Sequence, residues 1–248
     1  MSVGYLCEIM FEDKLSADSY LQSLPVVQYL RAQGRLAFDA DVTFLVGENG
    51  TGKSTLLEAI AVCCGFNPEG GSRNFRFSTN ATHSELHECL RAVKRAYPKD
   101  GYFLRAESLY NVATNIEDLD RARGSLPPLT ESYGGKSLHH QSHGESFLAL
   151  VQNRLGGNGL YLFDEPEAAL SPMRQLTLLA EIDRLVKSGS QLVIATHSPI
   201  LMAYPGACIC ELSEQGIAKV AYKDTEHYRM TKRFLDDPER MMKYLLDL

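Results

Sequence analysis

Residues Gly47 to Thr55 read "GENGTGKST" and directly follow the apolar run "VTFLV" at 42–46. The spacing G-x-x-x-x-G-K-S, with a strand pattern before it and a helix pattern after it, is that of a phosphate-binding loop. At ordinary residue usage a chance match in a chain this long has odds of about one in a hundred. In such a loop the backbone amides at the start of the next helix surround nucleotide phosphates, so Gly47, Asn49, Gly50 and Gly52 shape the cradle. Lys53 supplies a fixed positive charge, Ser54 a hydroxyl ligand for Mg2+, and Thr55 a contact beside the α-phosphate.

A loop of this kind hydrolyses nothing without an acid partner. The stretch "GLYLFDEPEAALSP" (159–172) supplies one, because its apolar strand ends in Asp164, at the sheet edge where open α/β sheets bind ligands. Asp164 is therefore the expected Mg2+-ordering carboxylate, paired with Ser54. Glu165 follows it, points elsewhere in the site, and suits the placing of an attacking water. A third apolar strand, "QLVIAT" (191–196), carries His197 at its tip. An isolated histidine is more often structural than catalytic. Here the strand pattern and the acids about thirty residues upstream favour a γ-phosphate contact.

The order of strand and helix patterns predicts an α/β fold with a parallel or mixed sheet. "YLCEIMF" (5–11) and "VTFLVG" (42–47) read as strands, and Lys53 to Cys64 reads as a helix with Leu56, Leu57, Ile60 and Ala61 on one face, ended by Gly65. A helix is expected from about Thr82 to Tyr97, a strand at "GYFLRA" (101–106), a helix beginning near Ser142, and another capped by Ser171 with Pro172 in its first turn. The segment near 65–140 is expected to be a mostly helical lobe set into one domain spanning 1–248.

The chain has 248 residues, 44% of them hydrophobic, with a net charge of −6. That length suits one domain with a full core. The acidity argues against a surface made wholly for nucleic acid, although "LRAVKRAYPK" (90–99) forms a local basic stripe. No apolar run reaches the roughly 18 residues needed to cross a bilayer, and the N-terminus lacks a basic-then-apolar leader, so no membrane insertion and a cytoplasmic location are expected. Six cysteines without a C-x-x-C pair read as reduced, buried thiols.

Taken together, "GENGTGKST", "SHGES" (142–146), "FDEPEAALS" (163–171) and "ATHSP" (195–199) resemble the ATP-binding-cassette ATPases, as Walker A, signature, Walker B with its following glutamate, D-loop and switch histidine. The wording "DEPEAALSP" and "THSPIL" is similar to the soluble SMC/RecF-like group, here without coiled-coil arms. The resemblance implies a P-loop fold and MgATP hydrolysis. It also implies an ATP-dependent homodimer, in which Ser142, Gly144 and Glu145 of one subunit act on the nucleotide held by the other. It further implies a coupled nucleic acid or effector protein; the alternative is the nucleotide-binding subunit of an ABC transporter. The family's Q-loop glutamine has no literal counterpart, and Arg105 or Glu107 occupies its place.

Weaker signals have plainer readings. His83 and His87 have a metal-binding spacing but no third ligand, so a polar helix face is expected. "LHHQSH" (138–143) is placed at the dimer interface. Tyr20 or Tyr29 could stack on adenine or pack in the core. The C-terminal residues 224–248 read as two amphipathic helices, with Phe234, Leu235, Met242, Leu245 and Leu246 as a packing face.

Overall fold

Alternation along the short apolar strands sets the architecture of the protein, whose structure is a computed structural model describing residues 4–73, 84–107, 109–122, 128–135 and 141–246. In chain order the elements are β1 (Leu6–Phe11), α1 (Pro25–Gln33), β2 (Arg35–Ala37), β3 (Val42–Gly47), α2 (Lys53–Cys63), β4 (Gly71–Ser72), β5 (Leu90–Lys94), β6 (Asp100–Arg105) and α3 (Leu109–Ala122). There follow α4 (His143–Arg154), β7 (Gly159–Asp164), α5 (Pro172–Lys187), β8 (Gln191–Ala195), α6 (Pro199–Met202), β9 (Cys208–Ser213), β10 (Gly216–Val220), α7 (Glu226–Asp236) and α8 (Pro238–Leu246).

A seven-stranded sheet runs in the order β10-β9-β3-β8-β7-β6-β4. Strands β9, β3, β8, β7 and β6 are parallel neighbours, while β10 and β4 close the edges antiparallel. A second, antiparallel sheet has the order β2-β1-β5. The central strands bury both faces and alternate between two cores. Val42, Phe44, Val46, Tyr161, Phe163, Leu192 and Ile194 enter one core with α3, α4 and α5. Leu45, Leu160, Leu162, Val193 and Ala195 enter the other, with α1 and α2. A shift of one residue in any of these registers would exchange the two faces, so the packing fixes the register.

Helix α2 lies between the two sheets, touching β5 of one and β3, β7 and β8 of the other. This explains why it is apolar nearly all round, burying Ala59 as well as the expected Leu56, Leu57, Ile60 and Ala61. Helix α3 buries Leu109, Val112, Ala113 and Ile116, a spacing that makes one stripe. Between Phe11 and Val42, where no helix or strand is expected from the sequence, lies α1. It has Pro25 at its first position and Gly34 in the left-handed conformation at its C-cap.

Three expectations are corrected. The helix expected from Thr82 to Tyr97 begins outside the described residues; within them, Glu85–Cys89 form a 3-10 turn and Leu90–Lys94 form the strand β5. Pairing with β1 over Leu6–Phe11 gives that backbone sheet partners, and tertiary hydrogen bonds override a weak local preference. The segment 65–140 accordingly contributes strands to both sheets as well as helix, including β4 in the stretch read as a loop. The C-terminal helices form, but Phe234, Leu235, Met242, Leu245 and Leu246 are exposed, Leu235 by 70%. The pair is held to the body near the start of α7 instead, where Thr225 is fully buried and α6 packs on α7.

Leu162 sits at the centre of β7 with none of its surface exposed. Leu162→Ala should lower the unfolding free energy by about 2–5 kcal/mol in urea titrations, because the rigid sheet around it cannot collapse into the cavity.

Candidate functional site

The expected site residues of the phosphate loop and of the two acids come together at one edge of the sheet, where β3, β7 and β8 end. Register explains the convergence: Asp164 pairs with Ala195 of β8, and Leu45 of β3 pairs with the same Ala195. Loops leaving the three strand ends therefore share one rim.

Between Gly47 and Gly52 the chain turns tightly. Gly47 has φ +140° and Gly52 φ +94°, both left-handed. A Cβ on Gly47 would lie 2.2 Å from the Leu212 carbonyl of β9, and one on Gly52 2.6 Å from Val26 of α1. Those two neighbours press the loop into shape. Lys53 Nζ donates to the carbonyls of Gly47 at 2.8 Å and Glu48 at 2.9 Å, reaching back across the loop. Burial lowers the Lys53 pKa, opposed by Glu165, Glu48, Asp164 and Glu167.

Helix α2 has no side-chain cap; its first intrahelical bond is from Leu56 N–H to the Gly52 carbonyl, at 2.8 Å. The N–H groups of its first turn are therefore left to an outside acceptor, and the helix dipole favours an anion there. Beside the loop a cleft of about 680 Å³ is lined by Gly47–Thr51, Pro25 and Glu211–Gln215. Asn49 and Gly50 are exposed at its edge. Of the two tyrosines considered for stacking, Tyr20 is 67% exposed, and Tyr29 packs against the core and lies over Gly216.

Asp164 ends β7 with its side chain 6% exposed. Burial pushes its pKa up to about 6, against the pull of Arg105 and the neighbouring Ser54 hydroxyl. Its Oδ1 is buried without a hydrogen-bond partner among the described residues. A hydroxyl and an under-satisfied carboxylate oxygen, next to a phosphate cradle, form a hard-oxygen donor set that suits Mg2+. Among the described residues no three His, Cys, Asp or Glu side chains cluster as a metal cage.

Arg105 stands opposite Asp164 in the β6–β7 register. Its Nε is 3.4 Å from Asp164 Oδ2, and its Nη1 donates to Glu58 Oε2 at 2.7 Å. Arg105 therefore joins α2 to the acid, whereas Glu107 is 84% exposed and 3.7 Å from Arg105.

Glu165 follows in a left-handed conformation, φ +48°, which turns it away from Asp164. Its Oε1 is 3.7 Å from His197 Nε2. Burial, then Lys53 and His227, lower the His197 pKa, so the ring is neutral near pH 7. Glu167 holds the loop that carries it: the Thr196 hydroxyl donates to this carboxylate at 2.7 Å and the His197 N–H at 2.5 Å. Glu167 lies within the motif 163–171, and no spacing in that motif marks its role. The other ring nitrogen of His197, Nδ1, lies 2.9 Å from His227 Nε2.

Ser142, Gly144 and Glu145 lie together at the start of α4, and their contacts are with the segment after the acids. Ser142 caps the helix, and Glu145 completes a capping box by accepting from the Ser142 N–H at 2.9 Å. Arg174 of α5 donates to Ser142 Oγ at 3.1 Å and to Glu145 Oε1 at 3.2 Å. A Cβ on Gly144 would lie 2.7 Å from the Ala169 carbonyl. The Glu145 side chain is thus engaged within its own helix start. His83, His139 and His140 lie outside the described residues.

His227 and Arg174 carry no signal in the sequence. No spacing rule links residue 227 to 197 or 174 to 142; only packing brings them together.

Residues 26–109 match a family described as "AAA domain", and residues 105–203 match one described as "AAA domain, putative AbiEii toxin, Type IV TA system". An uncharacterized ABC transporter ATP-binding protein of Haemophilus influenzae is 29% identical over 185 residues, 69% of this chain and 69% of that protein. The pyoverdine export ATP-binding/permease protein PvdT of Pseudomonas aeruginosa is 25% identical over 186 residues, 70% of this chain and 28% of PvdT. The fold is similar to cbiO1 from Clostridium perfringens, part of the ABC transporter complex cbiONQ, with a TM-score of 0.50, 17% identity, and coverage of 99% of this chain and 100% of that one. At that identity the likeness is one of fold.

Because the Asp164 pKa is raised in the folded chain, ionising it costs stability. The loss begins above the unfolded value near 4 and is complete above about pH 6. In nucleotide-free protein, the stability gain of Asp164→Asn over the parent should be about 2 kcal/mol larger at pH 7.5 than at pH 4.5, read by urea unfolding at both pH values.

Proposed function

We propose that the chain is a P-loop ATPase of the ABC type, which binds MgATP, dimerises head to tail on it, and opens again on hydrolysis; the two AAA-domain matches and the ABC-type relative support the reading. The observation that carries this reading is the meeting of Lys53, Ser54, Asp164, Glu165 and His197 at one sheet edge, around a helix start with no side-chain cap. In the proposed reaction the loop amides and Lys53 hold the β- and γ-phosphates. Ser54 and Asp164 hold Mg2+, which would offset phosphate charge when bound. Glu165 takes a proton from water as its oxygen attacks the γ-phosphorus; the bond to the β–γ bridging oxygen breaks and ADP leaves. His197 donates to a γ-phosphate oxygen.

The second half of the site comes from a second copy. The α4 start offers hydrogen-bond donors to the γ-phosphate held by the partner: the Ser142 hydroxyl and the Arg174 guanidinium 3.1 Å from it, whose charge is shared with Glu145. Met173 and Leu176, exposed by 73% and 52% on the adjoining turn of α5, supply apolar area for the same interface.

Two readings of the coupled process follow. The SMC/RecF-like wording of residues 164–172 and 196–201, with the toxin description of the family matching 105–203, favours a nucleic-acid or defence-related effector. The transporter-related names of the curated relatives favour a nucleotide-binding subunit working with a separate membrane protein, since no helix among the described residues is long and apolar enough to cross a bilayer. ATP turnover that rises with DNA, and a DNA affinity that falls steeply with salt, would select the first. Co-purification with a membrane protein would select the second.

Glu165→Gln should bind MgATP, lose nearly all turnover and double its mass on adding MgATP, read by light scattering on a sizing column. Turnover at the parent rate would remove Glu165 as the base. Ser142→Arg should keep nucleotide affinity and remain a monomer with MgATP; normal association would remove the head-to-tail arrangement.

A further inference from the structure

We propose that His227, on the C-terminal helix α7, is a positioning residue that fixes the tautomer and ring orientation of the switch histidine His197. The inference rests on the ATPase reading for its consequence, but its geometry stands independently. His227 Nε2 and His197 Nδ1 are 2.9 Å apart, and the two rings are tilted by 57°. A hydrogen bond between two neutral imidazoles needs a proton on one facing nitrogen and a lone pair on the other, so two arrangements compete.

If His197 donated, its Nε2 would carry a lone pair aimed toward the Glu165 carboxylate 3.7 Å away, and His227 Nδ1–H would be a buried donor. Neither His227 Nδ1 nor His197 Nε2 has a hydrogen-bond partner among the described residues. Each arrangement therefore leaves one N–H and one lone pair unpaired, and the carboxylate facing His197 decides between them. If His227 donates instead, its orphaned Nδ1 carries only a lone pair, and His197 Nε2–H faces Glu165 as a donor. The second arrangement is favoured, because it turns an N–H rather than a lone pair toward the Glu165 carboxylate. It leaves a proton on the nitrogen that faces the reaction centre, as donation to a γ-phosphate oxygen requires.

His227 is held firmly enough for this task. Thr225 caps the helix start, with its hydroxyl accepting from Tyr228 N–H at 3.3 Å, and Glu211 of β9 accepts from Glu226 N–H at 3.0 Å. Glu167 fixes the backbone of His197, while His227 fixes its ring. Helix α7 is thereby tied directly to His197, and α8 packs on α7.

The test compares the parent with His227→Phe, which keeps the ring volume and removes the donor, and with His227→Gln, which keeps an N–H near the position of Nε2. In nucleotide-free protein, 15N–1H imidazole spectra should show His197 as the Nε2–H tautomer in the parent and in His227→Gln, and as a mixture in His227→Phe. The kcat of His227→Phe should fall about ten- to hundredfold with the KM for ATP little changed, and His227→Gln should recover most of that loss. A predominant Nδ1–H tautomer in the parent, or the same tautomer ratio in all three proteins, would overturn the inference. Absence of ATP turnover in the parent would instead overturn the ATPase reading, and the spectra would still decide the role of His227.

Discussion

The site depends on the Lys53 ammonium lying inside its own loop. Two carbonyl oxygens, of Gly47 and Glu48, accept its protons, so the charge is stabilised locally although the side chain is buried. The loop can curl around it only because Gly47 and Gly52 take left-handed conformations, against the Leu212 carbonyl on one side and Val26 on the other. Strand β9 and helix α1, far from the loop in sequence, therefore set its shape. The acids Asp164, Glu165 and Glu167 in turn offset the desolvation of the lysine.

Around this charge the carboxylates do different work because their surroundings differ. Asp164 is nearly enclosed, and burial pushes its pKa up to about 6. Glu165 is more open, turned aside by its left-handed backbone, and faces His197. Glu167 is spent on structure, clamping Thr196 and His197 from the turn after β7. Three acids within four residues are separated by backbone geometry, since a strand end, a left-handed residue and a 3-10 turn point them in different directions.

The helix starts of α2 and α4 show the same physics used in two ways. Helix α2 begins at glycine and leaves its first amides without a side-chain cap, which suits a phosphate. Helix α4 satisfies its start with Ser142 and Glu145 and adds Arg174 beside them. An anion meeting α4 would therefore meet the arginine together with a side-chain cap.

The sequence by itself determined the local chemistry. The glycine spacing and Lys53 mark a phosphate loop, the apolar runs at 42–47, 159–164 and 191–195 form buried strands, and acids or a histidine stand at their ends. These features are legible because strand burial and loop conformation follow from neighbouring residues and leave a periodic trace. Leu90–Lys94 is strand although its local pattern favours helix, because its hydrogen-bond partners lie in β1, 79 to 88 residues earlier. Only the tertiary structure decided that Arg105 faces Asp164, that Arg174 reaches Ser142, that Glu167 clamps the His197 loop and that His227 meets the His197 ring. Each of those pairs is set by strand order, register or the docking of a helix. Such contacts depend on how whole elements pack, so no spacing in the chain encodes them.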